Sequence, residues 1–140
     1  MPFETTITHN IMKYLNNIDE TIAEKVKGEA GCSGRADING CYYGRSFRIE
    51  VKTPDNGNKP SKKQLYNLWE WHRAKAIIMV TYSLHAVEKY FTQEYSWHDG
   101  MFLIEEQNRC KSLIVFPQPK ISFETLYKVY YRKMDNEDEI

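Results

Sequence analysis

The stretch RADINGCYYGRSFRIEVKT, residues 35–53, decides the fold. Within it, Arg48-Ile49-Glu50-Val51-Lys52 alternates charged and apolar residues. That is the pattern of a strand with one dry face and one wet face. Arg35 to Tyr42 reads as a second strand, and Arg45 to Thr53 as its partner. Tyr43-Gly44 lies between them, and a glycine there takes the positive φ that a tight hairpin turn needs. Asn39-Gly40 is a competing turn, but it leaves Tyr42-Tyr43-Gly44-Arg45 as an unexplained break.

With the turn at Tyr43-Gly44, Tyr42 faces Arg45, Cys41 faces Ser46, and Asp37 faces Glu50. Directly opposed residues share a face with Cβ atoms about 4.5–5.5 Å apart. Two carboxylates are thus expected side by side, with Lys52 two residues along the same face. Opposed like charges are destabilising, so the arrangement calls for a cation. Oxygen-rich sites prefer hard divalent ions such as Mg²⁺, with Mn²⁺ as a substitute. An ion held this way polarises a phosphate and activates a water, and a nearby Lys adds positive charge. Glu-x-Lys by itself also suits an ordinary solvated strand; the opposed Asp37 is what sets it apart.

Outward from this hairpin, Ile7, Ile11, Met12 and Leu15 recur at helical spacing over residues 4–16. Residues 20–27 alternate and read as a strand, and residues 28–34 as a glycine-rich loop. Residues 55–60 form a polar loop, and Ser61 caps a helix running to about Ala74 that buries Leu65, Leu68, Trp69 and His72. The unbroken apolar run AIIMVTY, residues 76–82, reads as a strand buried on both faces. Ser83 caps a short helix to residue 91. Residues 101–106 and 111–116 form a second hairpin, and Ser122 caps a closing helix over residues 122–133. The order gives an α/β fold with a mixed central sheet flanked by helices, ending in a β-hairpin and helix.

The chain has 140 residues, 41% hydrophobic and 27% charged, which suits one soluble domain. It carries 19 basic and 19 acidic residues. Four of the acids, Asp135, Glu137, Asp138 and Glu139, sit in the last seven positions, so the body is mildly basic and the tail reads as an acidic disordered end. No apolar run approaches the ~20 residues of a membrane span, and the N-terminus lacks a secretory pattern. The expected location is cytoplasmic, with no membrane partner. Cys32, Cys41 and Cys110 form no Cys-x-x-Cys pair, and His9, His72, His85 and His98 are scattered, so no zinc site is expected.

Gly34-Arg35-Ala36-Asp37, then Glu50-Val51-Lys52, then Gly57 in the polar loop, then Ser61-Lys62-Lys63-Gln64, resembles the virus-type replication-repair nuclease (VRR-NUC) domain of the PD-(D/E)xK superfamily. The resemblance covers roughly residues 4–91, with Ala36 where the family has Pro. It implies a restriction-endonuclease-like core over residues 1–91; residues 92–133, read as an extension packed on that core, and the tail 134–140 have no counterpart in the family. It implies a Mg²⁺-dependent endonuclease acting on DNA, in replication, recombination or repair, on junctions, flaps or forks, working as a homodimer.

Residue by residue, the resemblance implies that Asp37, Glu50 and the Val51 carbonyl hold the metal and that Lys52 positions the attacking water. Gln64 orients Lys52 or the substrate, and Glu4 supports the site from the first helix, with Glu20 and Glu24 as substitutes. Arg35, Arg45, Arg48, Lys62 and Lys63, with Lys59, cluster near the motif as phosphate contacts. Tyr42 and Tyr43 stand at the hairpin tip, where they can stack on bases or on a second subunit, while Trp69 and Trp71 read as core or interface. A non-catalytic nucleic-acid-binding module of the same fold and a sequence-specific restriction endonuclease are the competing functions.

Overall fold

The computed structural model describes residues 3–26 and 34–131. The acidic tail, Cys32, and the glycine-rich loop apart from Gly34 lie outside the described residues. The elements run α1 (Glu4–Asn16), β1 (Thr21–Lys25), β2 (Ile38–Tyr42), β3 (Arg45–Val51), α2 (Lys62–Arg73), β4 (Ile77–Thr81), α3 (Leu84–Ala86), β5 (Met101–Glu105), β6 (Lys111–Val115) and α4 (Phe123–Tyr130). The six strands form one mixed sheet in the order β1-β2-β3-β4-β6-β5. Among the described residues only β3 and β4 pair in parallel, joined by α2.

The hairpin forms where the sequence places it. Tyr43 and Gly44 both take positive φ, 48° and 80°, as a two-residue type I′ turn requires. The register runs from Tyr42↔Arg45 to Ile38↔Ile49, so Asp37 and Glu50 are the next opposed pair.

Alternation then splits the core into two layers. On one face, Ile7, Ile11 and Leu15 of α1 pack on Phe47, Ile49 and Val51 of β3 and on Ile77 and Met79 of β4. On the other, Leu65 and Leu68 of α2 and Leu126 and Tyr127 of α4 cover Ile78 and Val80 of β4 and Leu113 and Val115 of β6. β4 is buried along its whole length, which is why its sequence is an unbroken apolar run. Trp69 and His72 tie α2 to the chain entering α4: the Trp69 indole donates to the Ile121 carbonyl at 2.9 Å, and the Ile121 N–H donates to His72 Nε2 at 2.9 Å.

The competing turn at Asn39-Gly40 does not form: both residues lie inside β2, as the Tyr43-Gly44 turn requires. Gly40 is there for close approach, since a Cβ would meet the Ile22 carbonyl and the Phe47 ring, each at 2.2 Å. Two expectations are corrected. The helix capped by Ser83 does not stop at residue 91 but continues as a π-helical segment, Val87–Glu94. There the Thr92 hydroxyl bonds the Glu88 carbonyl and the Tyr14 hydroxyl of α1, competing with the regular ladder. Tyr42 is buried against Phe91 and is closed to base stacking. Tyr43 is half-exposed beside Trp97. Among the described residues, no helix is long and apolar enough to cross a membrane.

Gly40→Ala is expected to destabilise the fold at the upper end of the about 1–3 kcal/mol that overpacking costs, because one of the clashing atoms is backbone. Urea unfolding reads this as a lower midpoint; an unchanged midpoint would show that β1 and Phe47 yield freely.

Candidate active site

The site lies where β2 begins and β3 ends. Val51 keeps its strand conformation, and its N–H donates to Asp37 Oδ2 at 2.7 Å. In an extended residue the N–H and the carbonyl lie on the same side, so the Val51 carbonyl projects toward Asp37 as well. The Lys52 N–H points the other way, to the Thr81 carbonyl of β4 at 2.9 Å. Asp37 is further fixed through its backbone, whose carbonyl accepts from the Val26 N–H at 2.8 Å.

Glu50 is almost fully buried, at 1% exposure. Its Oε2 accepts from Gln64 Nε2 at 2.8 Å and lies 3.7 Å from Lys52 Nζ. Gln64 can point only one way, because it belongs to a capping box. Its side-chain carbonyl accepts from the Ser61 N–H at 2.9 Å, and the Ser61 hydroxyl accepts from the Gln64 N–H at 3.1 Å. The amide nitrogen is thereby aimed at Glu50. The Ser-x-x-Gln spacing therefore does two jobs: it starts α2 and it clamps a carboxylate.

The electrostatics follow from crowding. Burial, and then the neighbouring Asp37, push Glu50 from an ordinary 4.5 up to about 9, against the opposing pull of Lys52. Burial raises Asp37 also, offset by the Val51 N–H and Lys52. With both groups ionised, Glu50 Oε1 is buried without a donor; with Glu50 protonated, the pair shares a hydrogen bond. Glu4, at the start of α1, is raised by burial and by Asp37 and lowered by Lys52 and Lys25. It is thus within electrostatic reach but stays exposed on its own element. Glu20 sits at the far end of β1, where its carbonyl accepts from the hairpin-turn Tyr43 N–H, and Glu24 is exposed.

Asp37, Glu50, Val51, Lys52 and Gln64 are brought together, with Glu4 beside them. Among the described residues no group of three or more His, Cys, Asp or Glu is arranged to hold a metal. Two carboxylates and a backbone carbonyl nevertheless suit Mg²⁺, which keeps several waters and takes one or two carboxylates plus substrate phosphates. The unpaired Glu50 oxygen is the feature that such an ion would satisfy.

The cations divide. Lys62, one residue after the Ser61 cap, stands at the start of α2 with its ammonium 5.7 Å from the Tyr127 ring, and Lys63 follows it. Arg35 acts electrostatically on Arg48, so these two lie near each other. Arg48 is turned onto α2, 3.7 Å from the Trp71 ring, and donates to the Phe47 carbonyl. Arg45 is not at the site: it sits at the turn end of β3, donating to the Ser96 carbonyl and packed against Trp97 and Phe116. The alternation that puts Glu50 on one face puts Arg45 on the other. Sequence reasoning missed Tyr82, whose hydroxyl donates to the Asn58 carbonyl at 2.6 Å and braces the loop after Lys52. It also missed Asn108, which donates to the Pro54 carbonyl at 2.6 Å. Neither carries a local signal.

No family model, curated protein or solved structure matches the chain.

Because the folded chain keeps a proton on Glu50 that the unfolded chain releases at its ordinary value, the native state binds more protons between about pH 4.5 and about pH 9. The contribution of this group to stability is therefore fullest at the acid end and falls as pH rises through that window. Thermal melts in chelator across this range should show a falling Tm, with a flatter profile for Glu50→Gln. Parallel profiles would contradict the shift.

Proposed function

We propose that the chain is a Mg²⁺-dependent phosphodiester hydrolase acting on DNA, built on a PD-(D/E)xK-type core. The observation that carries this reading is the pairing of Asp37 with the buried Glu50, with Lys52 3.7 Å from it. The order α1-β1-β2-β3-α2-β4, with the parallel β3–β4 pair, supports the core assignment.

In this reading Asp37, Glu50 and the Val51 carbonyl hold the ion. Once bound, Mg²⁺ would polarise a phosphate oxygen and lower the pKa of a water. Gln64 keeps Glu50 in place as a positioning residue, and the Asp37 carboxylate is held by the Val51 N–H. Lys52 supplies positive charge where the attacking water and the developing phosphorane charge lie. Most of its side chain is enclosed at 16% exposure, which strengthens its field over that of a solvated lysine. The resemblance to VRR-NUC domains favours branched or flapped DNA and a homodimer with two sites related by a two-fold axis.

Purified Asp37→Asn, Glu50→Gln and Lys52→Ala should each lose ~10²-fold or more of Mg²⁺-dependent cleavage while remaining folded. The substrates are labelled linear duplex, flap, fork and four-way junction, with Mg²⁺, Mn²⁺ and chelator lanes. Full cleavage by any of the three variants would overturn the assignment. Cutting of linear duplex at one sequence would identify a restriction enzyme, and DNA binding without any cleavage a non-catalytic module.

A further inference from the structure

A cleft of about 510 Å³ opens between the loop after Lys52, the turn before β6, and the end of α4. It is lined by Gly57, Asn58, Lys59, Arg109, Lys111 and Tyr130, and among the described residues no carboxylate lines it. Lys59, Arg109 and Lys111 make no ion pair among the described residues. Lys111 faces Glu105 in the β5–β6 register, outside ion-pair range.

The sheet register fixes where this cleft lies relative to the carboxylates. Val51 pairs with Thr81, and Val80 with Leu113, so Lys52, Tyr82 and Lys111 fall in one row across β3, β4 and β6. Tyr82 and Leu113 share the α2/α4 face, and Glu50 points to the same face through Gln64. Lys52 and Lys111 therefore stand on one face at one end of the strands, two strand spacings or roughly 10 Å apart.

The cleft is also held in shape. Asn108 and Arg109 both take φ of 59°, a left-handed conformation that costs a non-glycine residue energy. The Gly57 N–H donates to the Asn108 carbonyl at 3.1 Å, Asn108 donates to Pro54, and Arg109 Nε donates to Asn56 Oδ1 at 3.3 Å. Lys59 Nζ reaches the Tyr130 carbonyl at 3.4 Å, and the Tyr130 hydroxyl donates to the Lys111 carbonyl at 2.7 Å.

We propose that Lys59, Arg109 and Lys111 form a subsite for a backbone phosphate of the DNA strand whose scissile phosphate lies at Asp37, Glu50 and Lys52. This rests on the function proposed above and assigns a role in substrate binding to the turn between β5 and β6. Three cations, in a cleft that no described carboxylate lines, match a phosphodiester, and the row through Tyr82 places Lys111 roughly 10 Å from Lys52, a reach of about one or two nucleotides.

Binding, separated from cleavage, tests it. Labelled flap DNA is titrated with the 140-residue Asp37→Asn chain at several salt concentrations in Mg²⁺. Adding Arg109→Ala and Lys111→Ala should weaken binding about tenfold and lower the slope of log K against log salt by about 0.7–0.9 for each phosphate no longer neutralised. Arg109→Lys with Lys111→Arg should restore most of both. Lys13→Ala, an exposed cation on the α1 face, should change neither. An unchanged slope, failure of the charge-conserving pair to restore binding, or absence of DNA binding would overturn the subsite. So would inorganic phosphate binding as tightly as the strand. If the unaltered chain fails to cut DNA but the slope still falls, hydrolysis is refuted and the subsite stands.

Discussion

Two carboxylates held against each other in a dry corner govern this structure. The β2–β3 register sets Asp37 opposite Glu50, a pairing that like charges disfavour. The opposite face favours the register: Ile38, Tyr42, Phe47 and Ile49 are all buried there. A slip of β2 by one residue would turn Ile38 and Tyr42 to the wrong side. Burying such side chains stabilises by about 1.5–3 kcal/mol each, so the hydrophobic face fixes the register and the carboxylates accept it. The strain is relieved by a proton on Glu50, by the Val51 N–H, and by Lys52 and Gln64. A divalent cation is the partner that would relieve it with both groups ionised.

The rest of the fold supplies the braces. The α2 capping box aims Gln64 at Glu50, and the parallel pairing to β4 carries Lys52 to the Thr81 carbonyl. Because β6 pairs with β4 rather than following β5 outward, the chain's last hairpin comes back toward the site instead of ending far from it. Its turn grips residues 54–57, the loop that links Lys52 to α2, through Asn108, Arg109 and Cys110. The C-terminal third is thus bonded to the segment that leaves the site.

Much of this was legible in the sequence because the signals are local. Tyr43-Gly44 names the turn, alternation names the faces, and Ser61, Ser83 and Ser122 each cap the helix that follows. The unbroken apolar run marks β4 as the central strand. What was not legible depends on distant partners. Arg45 looks like any other cation beside the motif until Trp97 and Phe116 are folded onto it. Tyr42 looks like a hairpin-tip aromatic until Phe91 covers it. The π-helical segment, the Gly40 close approach and the row from Lys52 to Lys111 likewise arise only when non-neighbouring strands and helices meet.

The most direct measurement is calorimetric titration of Mg²⁺ or Mn²⁺ into the unaltered chain at neutral pH, in two buffers of different ionisation enthalpy. A Glu50 held near 9 must give up its proton when a cation takes its place. Saturable binding with release of close to one proton per ion is expected, and Glu50→Gln should abolish that release. Binding without proton release, or no binding at all, would contradict a metal site built on Asp37 and Glu50.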